Sequence, residues 1–379
     1  MARDVFEKTG FHSFKSGELC DGCLQCVRGE KLVLFVTGLC PRSCFYCPIS
    51  FDKYGCDVVF ANEWKVKDVF NPVELFDEVK MTGARGAGIT GGEPLVKIDR
   101  VISYIKSLKE KFGEDFHIHL YTSLDLVNLK NLEKLHGAGL DEIRFHPDLV
   151  DDSLWDRVLL AKTFDWSVGV EVPVVPNFKE NLFKLVNFLS GKVDFLNLNE
   201  LEFSDTDSNH YDMSGFSRKN SSSYAVCGSE ELAFDLLRRC AEINLRCHFC
   251  TAKLKNQVQV GERLKKRALN VASSVDELTE DYLLFRGAIY LDGCAPSFNY
   301  NQGSAQVIFK ERLHRAREGL LGVGFEEDDL ILDVERNRFL AHFSLVEYFS
   351  EKIKGLGLVP VLVEEYPSSD YFCVDLEFL

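Results

Sequence analysis

LVLFVTGLCPRSCFYC, residues 32–47, decides the reading of this chain. Its first seven residues are aliphatic and aromatic up to Thr37-Gly38, a short apolar run that predicts a strand buried on both faces. The strand runs directly into Cys40, Cys44 and Cys47. Thiolates at that spacing sit on one tight loop, close enough to hold three corners of a cubane iron–sulfur cluster. Three protein ligands leave one iron open to chelate a substrate or cofactor, whereas a cluster that only carries electrons usually has four. The alternative is a zinc site completed by a distant ligand.

Outward from the loop, strand and helix signals alternate. Asn71-Pro72-Val73-Glu74 supplies a capping Asn, a first-turn Pro and an acidic residue ahead of a helix carrying Val73, Phe76 and Val79, which leads into a strand at 86–90. Ile98, Val101, Ile102, Ile105, Leu108 and Phe112 recur at helical intervals before Gly113, and FHIHLYTS (116–123) follows as a strand. Leu129, Leu132 and Leu135 mark a helix ended by Gly137-Ala-Gly139, ahead of the strand EIRFHP (142–147). VGVEVPVV (168–175) and DFLNLNELEF (194–203) are further strands, with a helix through Leu182, Leu185, Val186 and Leu189 between them. Strands separated by helices imply parallel pairing with right-handed crossovers. Six such strands predict an α/β fold, a partial (β/α)6 TIM-like barrel short of the full eight.

Residues 1–30 are a cysteine-containing lead-in and 31–203 the barrel. Residues 204–280, Ser/Asn-rich, then helical, then basic, read as an accessory metal-binding and helical segment. Residues 281–379 hold ILDV, RFLAH, a helix from Ser344 to Lys354, VPVLVEE and YFCVDLEF, the order of a small α+β domain. In 379 residues, 46% hydrophobic and 27% charged, nothing has the composition of a disordered tract. No apolar run has the length or flanks of a membrane span or secretory leader, so a cytoplasmic protein without membrane partners is expected. In that compartment thirteen cysteines point to metal binding rather than disulfides. A formal net charge of −15 repels a phosphate backbone at long range, so a nucleic-acid partner is not indicated. The basic stretch Lys253, Lys255, Arg263, Lys265, Lys266 and Arg267 reads as a solvated helix face.

Cys40-x-x-x-Cys44-x-x-Cys47, with the aromatic Tyr46 before its last cysteine, resembles the signature of the radical S-adenosylmethionine (SAM) superfamily. Gly91-Gly92-Glu93-Pro94, at the end of the second strand, resembles the family segment whose backbone receives the amino group of SAM. The resemblance covers about residues 31–203 and is nearest to archaeal proteins related to pyruvate formate-lyase-activating enzyme. It implies a [4Fe–4S] cluster on the three cysteines, SAM on its open iron, reductive cleavage to a 5′-deoxyadenosyl radical, hydrogen abstraction from a substrate, and a reductant protein such as ferredoxin or flavodoxin. It also places Thr122 and Ser123 near the SAM ribose. The family's GxIxGxxE stretch has no match, and Glu171 is its nearest substitute.

Strands buried on both faces read as continuous apolar runs, yet several of these alternate. His117, His119 and Tyr121 share one face against Ile118 and Leu120; Glu142, Arg144 and His146 oppose Ile143 and Phe145; Glu171 interrupts valines; Asn197 and Asn199 alternate with Leu196 and Leu198. Helices must cover the apolar face, so the polar one should furnish the barrel interior. Tyr121, His146, Asn197 and Asn199 are the expected substrate wall, and Arg144 and Glu171 expected cofactor contacts. His117 and Glu142, early in their strands, are expected structural plugs near the floor.

Cys20-Asp-Gly-Cys23-Leu-Gln-Cys26 has the spacing of a metal half-site, and Cys247-His248-Phe249-Cys250 is a partner of suitable type. Joined, they would hold zinc or an auxiliary iron–sulfur cluster, since thiolate softness suits both. The leading function is radical SAM catalysis, with a nucleic-acid base, a peptide or glycyl-radical-type protein, or a small metabolite as substrate. The rival is a non-enzymatic zinc or iron–sulfur protein that uses its cysteines for structure or docking.

Overall fold

The computed structural model describes residues 5–50, 52–204, 206, 211–295 and 309–379. The chain divides into two compact units, Met1–Arg263 and Leu264–Leu379.

In the first unit, β1 (Lys31–Phe35), β2 (Gly86–Thr90), β3 (His117–Thr122), β4 (Glu142–Phe145), β5 (Ser167–Val174), β6 (Phe195–Glu200) and β7 (Arg246–Cys250) pair in parallel, in that order. Phe60–Ala61 flanks β1 and Phe14–Ser16 flanks β7, both antiparallel. The helices are α1 (Asp21–Val27), α2 (Val73–Thr82), α3 (Ile98–Phe112), α4 (Leu129–His136), α5 (Val158–Ala161), α6 (Lys179–Leu189) and α7 (Ser229–Glu242). Asn128 caps α4 by accepting from the Asn131 N–H at 3.0 Å.

The period-two alternation sorts the strands as the sequence implied. Leu32, Leu34, Ile118, Leu120, Ile143, Phe145, Leu196 and Leu198 form one core with the buried faces of α2, α3, α4, α6 and α7. The opposite face carries the polar residues, an arrangement consistent with a partial barrel.

Several expectations change. Six parallel strands were expected and the sheet has seven. RCHFC (246–250) is β7 rather than half of a metal site: Cys247 and Phe249 face the helical core, while His248 sits opposite Asn197. In a five-residue strand two cysteines mask the alternation. The lead-in belongs to the first unit, and the expected accessory segment is divided at Arg263. Its basic stretch is not simply solvated, because Arg263 pairs with Glu63 and Arg267 is buried on the Pro367 carbonyl.

The second unit is an antiparallel sheet in the order Ile331–Asp333, Arg338–Ala341, Leu284–Leu291, Leu358–Glu365, Cys373–Phe378. Leu313, Leu320, Val346 and Ile353 from its helices pack on Ile289, Phe339 and Ala341. Arg338 and Arg286 share the buried Glu365 carboxylate, at 2.6 Å each. Among the described residues no helix is long and apolar enough to cross a membrane.

Candidate active site

The polar face of the first unit is built in layers. At the strands' N-terminal ends α1 fills the floor, with Cys20 and Cys23 packed on Phe195. Gly22 allows this approach: a Cβ there would lie 2.3 Å from an Arg144 guanidinium nitrogen and 2.8 Å from Glu142 Oε1. Lys31 Nζ, 2.8 Å from His117 Nδ1 and 2.7 Å from the His117 carbonyl, closes the floor beside them. His117 and Glu142 therefore stand where plugs were expected.

Arg144 forms the next layer. It donates to Glu142 (2.5 Å), to Glu171 (2.9 Å) and to the Tyr121 hydroxyl (2.8 Å), and is 2% exposed. Glu171 also accepts from Asn197 and Asn199, each at 2.9 Å. Burial works against the Glu171 carboxylate, but Arg144 and the two amides outweigh it and hold the group below its ordinary value. Arg144 and Asn197, expected as cofactor and substrate contacts, lie beneath the cavity; register and the packing of α1 put them a layer too deep. Asn197 also donates to Cys23 Sγ at 3.3 Å.

Above this layer opens a cavity of about 920 Å³, near the upper end of ligand-pocket sizes. Cys40, Cys44, Cys47 and Tyr46 line it, as do Gly91, Gly92 and Pro94, and Tyr121, Thr122, Ser123, His146, Glu171 and Asn199. The turn after β2 and the cysteine loop are stitched together: Gly92 N–H donates to the Thr37 carbonyl at 2.7 Å and Glu93 N–H to the Leu39 carbonyl at 2.8 Å. A Cβ on Gly91 or Gly92 would come within 2.5 Å of those carbonyl oxygens, so this close approach requires the two glycines. Glu93 turns inward, accepting from Thr122 Oγ1 (2.6 Å), Ser123 N–H (2.7 Å) and Leu95 N–H (3.0 Å). It thereby fixes the ends of β2 and β3 against each other.

Arg42 anchors the cysteine loop across the cavity mouth, donating to the His146 carbonyl and to Asp148, both at 2.7 Å. His146 Nδ1 lies 2.9 Å from the Glu171 carbonyl, which can only accept, so Nδ1 carries a proton. Burial, with Arg42 nearby, pushes the ring down to about 4, so it is neutral and Nε2 accepts from the Tyr46 hydroxyl at 3.1 Å. Burial pushes the three loop thiols up, Cys40 to about 11, so loading a metal cluster means expelling their protons.

The donor set suits a cubane. Three thiols of one loop share a cavity, and among the described residues no fourth cysteine lines it. Among the described residues no three His, Cys, Asp or Glu side chains are grouped to hold a single ion, a requirement that corner ligands of a cubane do not share. The expected second site is not assembled. Cys20 and Cys23 face Arg144 at 3.4 and 3.7 Å, Cys26 is half-buried, Cys247 lies in the core with Cys240, and Cys250 packs on Val27 and Leu254. Adjacent strand faces send Cys247 away from α1. Sequence reasoning missed Arg42, Lys53 and Glu200 on the cavity wall, and Lys255, read as part of a solvated helix face, lines it too. Arg42 could have been marked by its place inside the cysteine loop; the others carry no local signal.

Residues 34–169 match the Radical SAM superfamily. A protein of Methanocaldococcus jannaschii named for activating glycyl-radical enzymes is 37% identical over 349 residues, 88% of this chain and 89% of that one. A GTP 3′,8-cyclase of Staphylococcus saprophyticus is 27% identical over 158 residues, 39% of this chain and 45% of the cyclase. Methylornithine synthase superposes with a TM-score of 0.38 at 14% identity, over 58% of this chain and 70% of that one, a likeness too slight to argue from. The loop thiols, the glycine turn bonded to the backbone just before them and the near full-length relative converge: this chain belongs to the radical SAM superfamily and is a radical SAM enzyme that uses a [4Fe–4S] cluster and SAM.

Proposed function

We propose that Cys40, Cys44 and Cys47 hold the cluster, that the Gly91–Pro94 turn takes the amino group of SAM, and that Thr122 and Ser123 meet its ribose. Tyr121, His146, Glu171 and Asn199 would then face the substrate. The observation that carries this reading is that all of these groups except the inward-turned Glu93 line one cavity. Bound there, cluster and SAM would supply the radical chemistry that removes a hydrogen atom from the substrate. The chain's own contribution is placement and exclusion of water. Arg42 and the Tyr46–His146 hydrogen bond hold the cysteine loop over the cavity, Glu93 sets the spacing of β2 and β3, and Arg144 keeps Glu171 ionised and oriented beneath the substrate.

The substrate we favour is a peptide segment of another protein, with a ferredoxin- or flavodoxin-type reductant supplying the electron. The name of the M. jannaschii relative supports this, and the net charge of −15 counts against a nucleic acid. The test is anaerobic reconstitution with iron and sulfide, then dithionite and SAM, with 5′-deoxyadenosine as readout. Product should appear with the wild type and vanish in Cys44→Ala. A Cys44→Ala protein that cleaves SAM at the wild-type rate would overturn the assignment of the loop. Incubation with glycine-deuterated candidate proteins should carry deuterium into 5′-deoxyadenosine; none transferred from any, alongside active SAM cleavage, would overturn the peptide reading.

A further inference from the structure

We propose that Lys53 is an anion-binding residue of the cavity, taking a carboxylate or phosphate group of a bound molecule. Lys53 lines the cavity, as does Phe35. The ammonium sits 4.3 Å from the centre of the Phe60 ring and 5.6 Å from that of Phe35. Aromatic faces attract and position a cation but leave its charge uncancelled. The acids that influence it are engaged elsewhere: Asp52 accepts from Ser50 Oγ at 2.8 Å, and Glu63 pairs with Arg263.

The other cations of the cavity wall are neutralised. Arg42 lies 2.7 Å from Asp148, and Lys255 is paired with Glu202. Among the described residues Lys53 is thus the cavity-lining cation without a carboxylate in ion-pairing range. Burial holds its ammonium below the ordinary lysine value, and the attraction of a bound anion offsets that desolvation. Positioned but unpaired charge on a residue that lines a ligand-sized cavity is what anion recognition needs.

The anion can come from either of two molecules, the carboxylate of SAM or an acidic group on the substrate. Only the first source rests on the proposed function. The experiment titrates SAM, decarboxylated SAM and inorganic pyrophosphate into reconstituted wild-type, Lys53→Met and Lys53→Arg proteins, with dissociation constants from equilibrium dialysis and far-UV circular dichroism as the folding control. If SAM supplies the anion, Lys53→Met weakens SAM binding by about 10- to 100-fold, leaves decarboxylated SAM unchanged, and Lys53→Arg restores most of the loss. If the substrate supplies it, SAM binding is unchanged, whereas pyrophosphate binds the SAM-saturated wild type and Lys53→Arg but not Lys53→Met. Equal affinities of wild type and Lys53→Met for all three molecules overturn the proposal. A wild type that binds no SAM contradicts the cavity assignment instead, and the pyrophosphate titration then decides Lys53 by itself.

Discussion

Arg144→Met tests the layered construction of the site. The guanidinium is 2% exposed and contacts two carboxylates, Glu142 at 2.5 Å and Glu171 at 2.9 Å. Methionine fills most of the volume and removes the charge. Glu171 keeps its Asn197 and Asn199 donors, but Glu142, fully buried, retains only the Gly22 N–H at 3.4 Å, the weak Cys20 thiol contact at 3.9 Å and His117 at 3.7 Å. Breaking a buried pair by removing one partner costs about 3–5 kcal/mol, most of it the penalty of the stranded charge. Without Arg144 the burial that opposes the Glu171 carboxylate is no longer outweighed, so that group's folded-state value rises above the unfolded one and the folded chain binds more protons. The loss should therefore be larger at pH 8 than at pH 5. Urea unfolding followed by tryptophan fluorescence reads this unit alone, because Trp64, Trp155 and Trp166 all lie before Arg263. Adding Glu142→Gln should recover about 2 kcal/mol. A single-variant loss below about 1 kcal/mol, or one of equal size at both pH values, would refute the claim that Arg144 compensates buried charge.

Other outcomes follow from the same geometry. His117 and His146 are held down to about 4 by burial, with Lys31 and Arg42 beside them respectively. The unfolded chain takes up protons that the folded chain refuses, so stability falls as pH drops from about 6.5 towards 4, by about 2 kcal/mol per histidine between pH 7 and pH 5; a flat urea midpoint over that range contradicts it. Gly92→Ala places a methyl 2.5 Å from the Leu39 carbonyl, so the protein should fold yet show at least about tenfold weaker SAM binding, measured by equilibrium dialysis. Glu365→Leu removes the carboxylate that Arg338 and Arg286 share, leaving them Asp333 at 2.8 Å and Asp276 at 3.1 Å, and should destabilise the second unit by about 3 kcal/mol in circular dichroism; an unchanged transition contradicts it.

Much of the site was legible because its signals are local. The loop holding Cys40, Cys44 and Cys47 is defined by spacing along eight residues, and strand alternation alone sorts Tyr121, Glu171 and Asn199 from their apolar neighbours. Face is therefore a property of sequence; depth is not. Whether a polar residue reaches the cavity or lies beneath it depends on register between strands and on what fills the floor. This is why Asn199 lines the cavity while Asn197, two residues earlier on the same face, is buried under it with Arg144. Likewise, cysteine spacing could nominate 20–26 and 247–250 as partners, but strand β7 turns Cys247 into the helical core. Lys53 became visible only when the loop after the cysteines folded back on Phe35 and Phe60. The sequence by itself determined the alternating α/β class, the cysteine loop and the polar face, because each follows from periodicity or spacing within one element. The tertiary structure alone decided the seventh strand, the layering of the polar face and the unpaired cation, because each depends on which distant segments pack together.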